Sequence, residues 1–250
     1  MTGVSQPGIP ANLKRVQQRI EGACARVGRG RKEVTLVAVT KTRSIGEIRL
    51  AYRCGLRDFG ENRVEEADLK VPELREDFAD DPPTWHMVGH VQSRKAKRAV
   101  ALADVIHSVD SLRLARRLDR FAAEMGKRLP ILVEVNVSGE ASKYGYPAWD
   151  ASTRAAFMVN ARELASLTHL EVRGLMTMAP VVADPEFARP VFRRLGQLRD
   201  VLRDQAPFSS WAELSMGMTD DFEVAIEEGA TMVRIGRAIF GPSPYQKGGG

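Results

Sequence analysis

The stretch Val34-Thr35-Leu36-Val37-Ala38-Val39-Thr40-Lys41 decides how the chain is to be read. Its residues up to Thr40 are apolar or β-branched, with no Gly or Pro, which predicts a buried strand. The run stops at a lysine, and Thr42-Arg43-Ser44 leads into a helical pattern. Strand side chains alternate between faces, so Lys41 shares a face with Thr35, Val37 and Val39. If that face points inward, an amine sits at the mouth of a buried core. Burial disfavours the ammonium form and lowers its pKa, and a partly neutral lysine is a nucleophile that forms Schiff bases. The other reading is the solvated end of an ordinary strand.

Working outward, the same alternation repeats. Residues 11–28 place Leu13, Val16, Ile20, Ala23 and Val27 at helical spacing, ahead of the lysine strand. Further strands are predicted at 58–61, 84–90, 105–109, 131–137, 172–178, 212–216 and 233–239, each followed by a helical segment or the chain end. Among the helices, those at 62–75, 94–103, 147–167 and 185–205 are clear, and Thr219 is the expected cap of the last one. Alternating βα units imply a parallel sheet with right-handed crossovers. Eight of them within 250 residues predict a single (β/α)8 barrel with an extra N-terminal helix. An open doubly wound sheet is the alternative, and no G-x-G-x-x-G follows any strand to support it. The barrel is expected over 11–243, with 1–10 and 244–250 disordered.

Composition narrows the function. With 37 Lys+Arg against 32 Asp+Glu the net charge is +5, and the pI is near 9.4. Such an excess suits an anionic ligand without proving one. Cys24 and Cys54, the only cysteines, make neither a metal-like spacing nor a disulfide framework, so a reducing cytoplasm is expected. No apolar run reaches membrane-spanning length, and no signal peptide is seen. His86 and His90 lie four apart, but on a strand that means about 13 Å, so no metal pair is read there. His86 and His107 are expected to be structural. The basic groups Arg94, Lys95, Lys97, Arg98 and Arg113, Arg116, Arg117, Arg120 read as outer helix faces rather than a nucleic-acid site. Aromatic residues, at 6%, do not interleave with them.

In a barrel of this kind the functional groups lie at the C-terminal ends of the strands. Leu214-Ser215-Met216-Gly217-Met218-Thr219 reads as strand, small-residue turn and helix start, and Arg234-Ile235-Gly236-Arg237 closes the last strand. Phosphates in such barrels sit by the loops after strands seven and eight, where glycines admit the backbone and helix N-termini point at the anion. Gly at a strand end also serves as a plain turn. Arg234 stands alone in an apolar strand, either paired with a carboxylate or facing a ligand. A nucleophilic lysine, a phosphate cradle and an arginine on one rim suggest pyridoxal 5′-phosphate (PLP).

The sequence also resembles the pyridoxal phosphate homeostasis protein family, relatives of the alanine racemase barrel domain. The matching stretches are VAVTK at 37–41, FGENRVEE at 59–66, WHMVGHVQSRK at 85–95, VNVSGEASKYG at 135–145, RGLMTMAP at 173–180 and LSMGMTDDFEVAIEEGATMVRIGRAIFG at 214–241. The resemblance implies a PLP barrel of fold type III. It implies a Schiff base on Lys41, Arg234 at the pyridine nitrogen, Asn62 near the ring, and Ser215, Gly217, Gly236 and Arg237 around the phosphate. At 237 the family pattern has a small hydroxyl residue, so that contact is lost unless the guanidinium turns inward. Arg43 and Arg94 are further departures. The resemblance also gives functional interest to Lys143, which otherwise reads as a solvated loop lysine, and His90 is placed at the pocket rim. A monomeric or loosely dimeric carrier is expected, holding PLP and handing it to recipient apo-enzymes, without significant turnover. The rival reading is a racemase of the alanine racemase type. That resemblance would imply a second domain supplying a tyrosine acid, and the chain stops just past strand eight.

Overall fold

The computed structural model describes residues 8–206 and 209–242. Its eight main strands are β1 (Thr35–Val39), β2 (Asp58–Glu61), β3 (Thr84–Met87), β4 (Val105–Val109), β5 (Leu129–Asn136), β6 (Leu170–Met176), β7 (Glu213–Ser215) and β8 (Met232–Ile235). Every neighbouring pair is parallel, β4 pairs with β5 and β8 pairs with β1, so the sheet closes on itself. The fold is a (β/α)8 barrel, as the alternation predicts, and the open sheet is ruled out by the closing pairs.

Nine α-helices surround it among the described residues: α1 (Ile9–Arg26), α2 (Ile45–Arg53), α3 (Val64–Asp77), α4 (Ala96–Leu102), α5 (Leu112–Glu124), α6 (Ala151–Ala165), α7 (Arg189–Gln205), α8 (Phe222–Glu227) and α9 (Arg237–Phe240). The extra helix α1 opens with Pro10 in its first turn, where a missing N–H costs nothing. It therefore starts inside the stretch expected to be disordered; 1–7 and 244–250, also expected to be disordered, lie outside the described residues. Asn12 Nδ2 donates to Ile239 O at 3.0 Å and Arg19 pairs with Glu223, fixing α1 against the last two helices.

Two layers of side chains follow from strand alternation. Outward-facing Leu36, Ala38, Phe59, Trp85 and Ile106 join the helices in one large apolar core. Inside the barrel the apolar cluster is small, Leu132, Met176 and Met232. The rest of the inner space holds buried polar groups: His86, His107, Glu134, Ser215 and Arg234 are each 5% exposed or less.

Several boundaries differ from the sequence reading, and two bear on function. The first strand ends at Val39, before Lys41. The last strand stops at Ile235, and Gly236 turns the chain into the single turn of α9 rather than continuing to Ile239. Thr219 is not the cap of α8. Asp221 holds that position, and its carboxylate accepts the Met218 N–H at 2.6 Å. Tyr146 and Pro147 form a two-residue strand beside the end of β5, so α6 begins only after it, capped by Asp150.

Candidate functional site

Lys41 leaves β1 on the inward parity that the alternation predicts, but it is exposed, not buried. The strand ends too early for the amine to enter the barrel, so it stands at the rim. Its position is set by its neighbours. Thr40 points outward, fully buried, and donates Oγ1–H to Glu61 Oε1 at 2.6 Å. Thr42 takes a left-handed conformation, φ 62°, which costs a non-glycine residue about 1–3 kcal/mol. Its N–H is received by Glu66 Oε2 at 2.7 Å.

A second lysine completes this clamp. Lys70, 8% exposed, donates to Glu61 Oε1 at 2.8 Å, to Glu66 Oε2 at 3.2 Å and to the Thr40 carbonyl at 2.9 Å. Burial pushes the Glu61 carboxyl up, opposed by Lys70. Glu66 is less enclosed; burial raises it too, but the Thr42 N–H and Lys70 outweigh that and hold it below its usual value. In the sequence, a carboxylate such as Glu66 at a helix start is accounted for by the helix dipole, and Lys70 carries no mark of its own. The i,i+4 spacing of Glu66 and Lys70 was the one available signal.

Lys41, Asn62, Gly236 and Arg237 line one cavity of about 660 Å³, with Val39, Arg43, Arg63 and Glu66. Asn62 Oδ1 is buried, with no hydrogen-bond partner among the described residues. A side chain on Gly89 would overlap the Asn62 backbone, its Cβ 2.2 Å from Asn62 O, so only glycine lets the two loops pass. The turn Gly236-Arg237 that opens α9 lines this cavity, while the amides after it are engaged, Ile239 N–H and Phe240 N–H both donating to Gly236 O at 3.0 Å. Arg43 braces the same corner, donating to Phe240 O at 3.2 Å and to Gly241 O at 2.5 Å.

Arg237 does not turn inward. Its guanidinium holds both carboxylate oxygens of Asp220, at 2.7 and 2.5 Å, in an exposed pair. The hydroxyl of Thr219 lies nearest the turn, accepting the Ala238 N–H at 3.4 Å.

Arg234, Ser215 and Gly217 lie outside the lining of that cavity. Arg234 sits beside Val37 in the β1–β8 register and is 5% exposed. It donates to Ser215 Oγ at 2.6 Å and to Thr177 O at 2.9 Å. Burial lowers it to about 10, with Glu134 and Asp221 drawing it back up, so it stays cationic at neutral pH. Ser215 is fully buried, and its hydroxyl is engaged by Arg234 and His107. The hydroxyl expected from the sequence near the phosphate makes these two bonds inside the barrel. Gly217, at φ 90°, lets α8 approach: a Cβ would stand 2.9 Å from Phe222 Cα.

His90 and Lys143 meet in a neighbouring cavity of about 490 Å³. His90 Nδ1 pairs with Asp110 Oδ2 at 2.8 Å, its ring stacks on Tyr144 at 4.6 Å, and Lys143 Nζ donates to Ala179 O at 3.2 Å. A third cavity, of about 730 Å³, adjoins both through Asn62 and His90. The basic helix residues are engaged in ion pairs: Lys95 with Glu65, Arg98 with Asp68, Arg116 with Glu163 and Arg120 with Glu124. Among the described residues no cluster of three metal-ligating side chains occurs, and no helix is long and apolar enough to cross a membrane.

Residues 11–244 match the family model for the alanine racemase N-terminal domain. The chain is 40% identical over 233 residues to the pyridoxal phosphate homeostasis protein of Aquifex aeolicus, covering 93% of this chain and 97% of that one. Among solved structures it superposes on an uncharacterised protein from Bifidobacterium adolescentis with a TM-score of 0.85 at 38% identity, covering 93% and 94% of the two chains. It superposes on PipY of Synechococcus elongatus with PLP bound with a TM-score of 0.76 at 36% identity, covering 93% and 100%.

Proposed function

The chain belongs to the pyridoxal phosphate homeostasis protein family, and we propose on that footing that it holds PLP as a Schiff base on Lys41 and serves the homeostasis of that cofactor. The observation that carries this reading is the cavity that joins Lys41 to Asn62 and to the first turn of α9, with Arg234 beneath the same rim.

The donor set fits the group. An amine, the side chain of Asn62 and the backbone turn at Gly236 and Arg237 line one cavity, next to a buried guanidinium. When bound, PLP supplies an aldehyde that condenses reversibly with amines. This chain's residues do the holding. Lys41 provides the amine, fixed by the Thr40 and Thr42 anchors on either side. Asn62 orients the ring. The backbone at Gly217, Gly236 and Arg237 receives the phosphate, since the Arg237 side chain is turned to Asp220. Arg234 keeps a positive charge at the pyridine-nitrogen position, which leaves that nitrogen unprotonated. A proton-poor ring is a weak electron sink, so the arrangement favours grip over turnover.

Borohydride reduction of the PLP-loaded protein followed by peptide mapping tests the assignment. The pyridoxyl group is expected on Lys41, with the absorbance band of the loaded protein absent in Lys41→Ala. A label on another lysine, with the band intact in Lys41→Ala, would overturn it. Alanine racemase turnover above about 1 s⁻¹, the low end for ordinary enzymes, would overturn the carrier role.

A further inference from the structure

The barrel interior holds a chain of hydrogen bonds that runs from its N-terminal mouth to the rim. Asp58, the first residue of β2, meets His86 of β3: Oδ1 to Nε2 is 3.0 Å. His86 Nδ1 meets His107 Nε2 of β4 at 2.9 Å. His107 Nδ1 then crosses the barrel to Ser215 Oγ of β7, also 2.9 Å. Ser215 Oγ accepts from Arg234 Nη1 at 2.6 Å. His86 and His107 are 3% and 0% exposed, so water does not interrupt the chain.

With one proton on each imidazole, the two ends fix every proton between them. A carboxylate only accepts, so His86 carries its proton on Nε2 and presents a bare Nδ1. His107 then donates from Nε2 and presents a bare Nδ1. Ser215, which already accepts from Arg234, donates its hydroxyl hydrogen to that nitrogen. His107 is held neutral, well below the usual histidine range, by burial first and by His86 and Arg234 second. All the bonds therefore point the same way, from Arg234 to Asp58.

We propose that Asp58, His86, His107 and Ser215 form a one-directional relay that positions Arg234, so that a change at the N-terminal mouth of the barrel is felt at the rim. Asp58 and the two histidines are positioning residues: none lines the cavity of Lys41. The consequence for PLP rests on the proposed function, through the placement of Arg234 at the ring nitrogen. If Asp58 stops accepting, His86 turns its proton to Nδ1 and His107 turns its own to the Ser215 side. Ser215 Oγ then receives two donors at once and holds Arg234 less firmly. The other charged groups facing the relay are Glu213, beside His86, and Glu134 and Asp221, beside Arg234. They belong to β5, β7 and the turn before α8, and none is hydrogen-bonded to either histidine.

The test is nitrogen-15 NMR of histidine-labelled protein, without PLP, for the wild type and Asp58→Lys. In the wild type both buried histidines are expected to carry Nε2–H. The ammonium in Asp58→Lys can only donate to His86, and the proton of His107 is expected to move to Nδ1 although no atom it touches has been replaced. In PLP-loaded protein the same variant is expected to release PLP faster, by up to about tenfold, the net worth of one hydrogen bond. Asp58→Glu should restore both readouts. A wild-type His107 protonated on Nδ1 would overturn the relay, and that spectrum needs no variant to fold. So would a His107 that keeps its tautomer in Asp58→Lys. Because the tautomers are read without PLP, a flip at His107 in a protein that fails to load Lys41 would uphold the relay and reject the cofactor reading.

Discussion

The ammonium of Lys70 donates to the main-chain oxygen of Thr40 at 2.9 Å, one residue before Lys41. A buried lysine thus holds the backbone from which the exposed one projects. It also neutralises Glu61, whose carboxylate is 1% exposed. Lys70→Met removes the partner and leaves that carboxyl buried alone, at an expected cost of about 3–5 kcal/mol in urea unfolding. Replacing Glu61 and Lys70 together by methionine should cost less than the single change. Additive losses would show that the pair is not coupled.

Glu134 faces the barrel interior and is pushed up to about 7 by burial first, with Asp110 adding and Arg234 opposing. The folded state therefore binds a proton that the unfolded chain, at 4.5, has already released. Stability conferred by the protonated carboxyl is fully present below pH 4.5 and is lost as pH rises through about 7, amounting to roughly 3 kcal/mol. Glu134→Gln should flatten this slope, so the variant gains on the wild type between pH 5 and about 8. Parallel pH profiles of the two melting temperatures would contradict the assignment.

Gly217 combines φ 90° with an α8 packed directly against it. A Cβ would lie 2.6 Å from Ala225 Cβ, so Gly217→Ala is both strained and overpacked. An expected loss of about 2–4 kcal/mol, with weaker PLP loading, follows from those two costs. Gly126, also at positive φ but with open space around it, should tolerate alanine better.

Arg237 and Asp220 form an exposed pair, and exposed pairs contribute little. Arg237→Thr should change stability by no more than about 0.5 kcal/mol. It places a hydroxyl at the opening of α9 and should retain or tighten PLP binding in a spectrophotometric titration. A marked loss of affinity would mean that the guanidinium leaves Asp220 to hold the phosphate.

The barrel was legible because its signals are local. Strand and helix periodicities depend on residues two to four apart, and a charged residue such as Arg234 stands out inside an apolar strand without any knowledge of its partners. Parity alone aimed Lys41 inward. Whether its amine enters the core was decided by where β1 stops, and that is set by pairing with Phe59 and Gly60 on the neighbouring strand. Strand pairing also separated the cavity that holds Lys41, Asn62 and Gly236 from the one that holds His90 and Lys143.

Sheet closure decided the rest. His107 and Ser215 are 108 residues apart and meet only because β4 and β7 face each other across the interior. Nothing near either one in sequence marks the contact, so His107 read as merely structural and Ser215 as a phosphate donor. Burial then made the choice between partners, since an enclosed hydroxyl or imidazole takes the polar group within reach. The chain alone thus determined the barrel, the rim and the types of residue on it. The tertiary structure determined which of them share a cavity, that Lys70 holds the backbone beside Lys41, and that Arg234 is held by Ser215 and the Thr177 carbonyl.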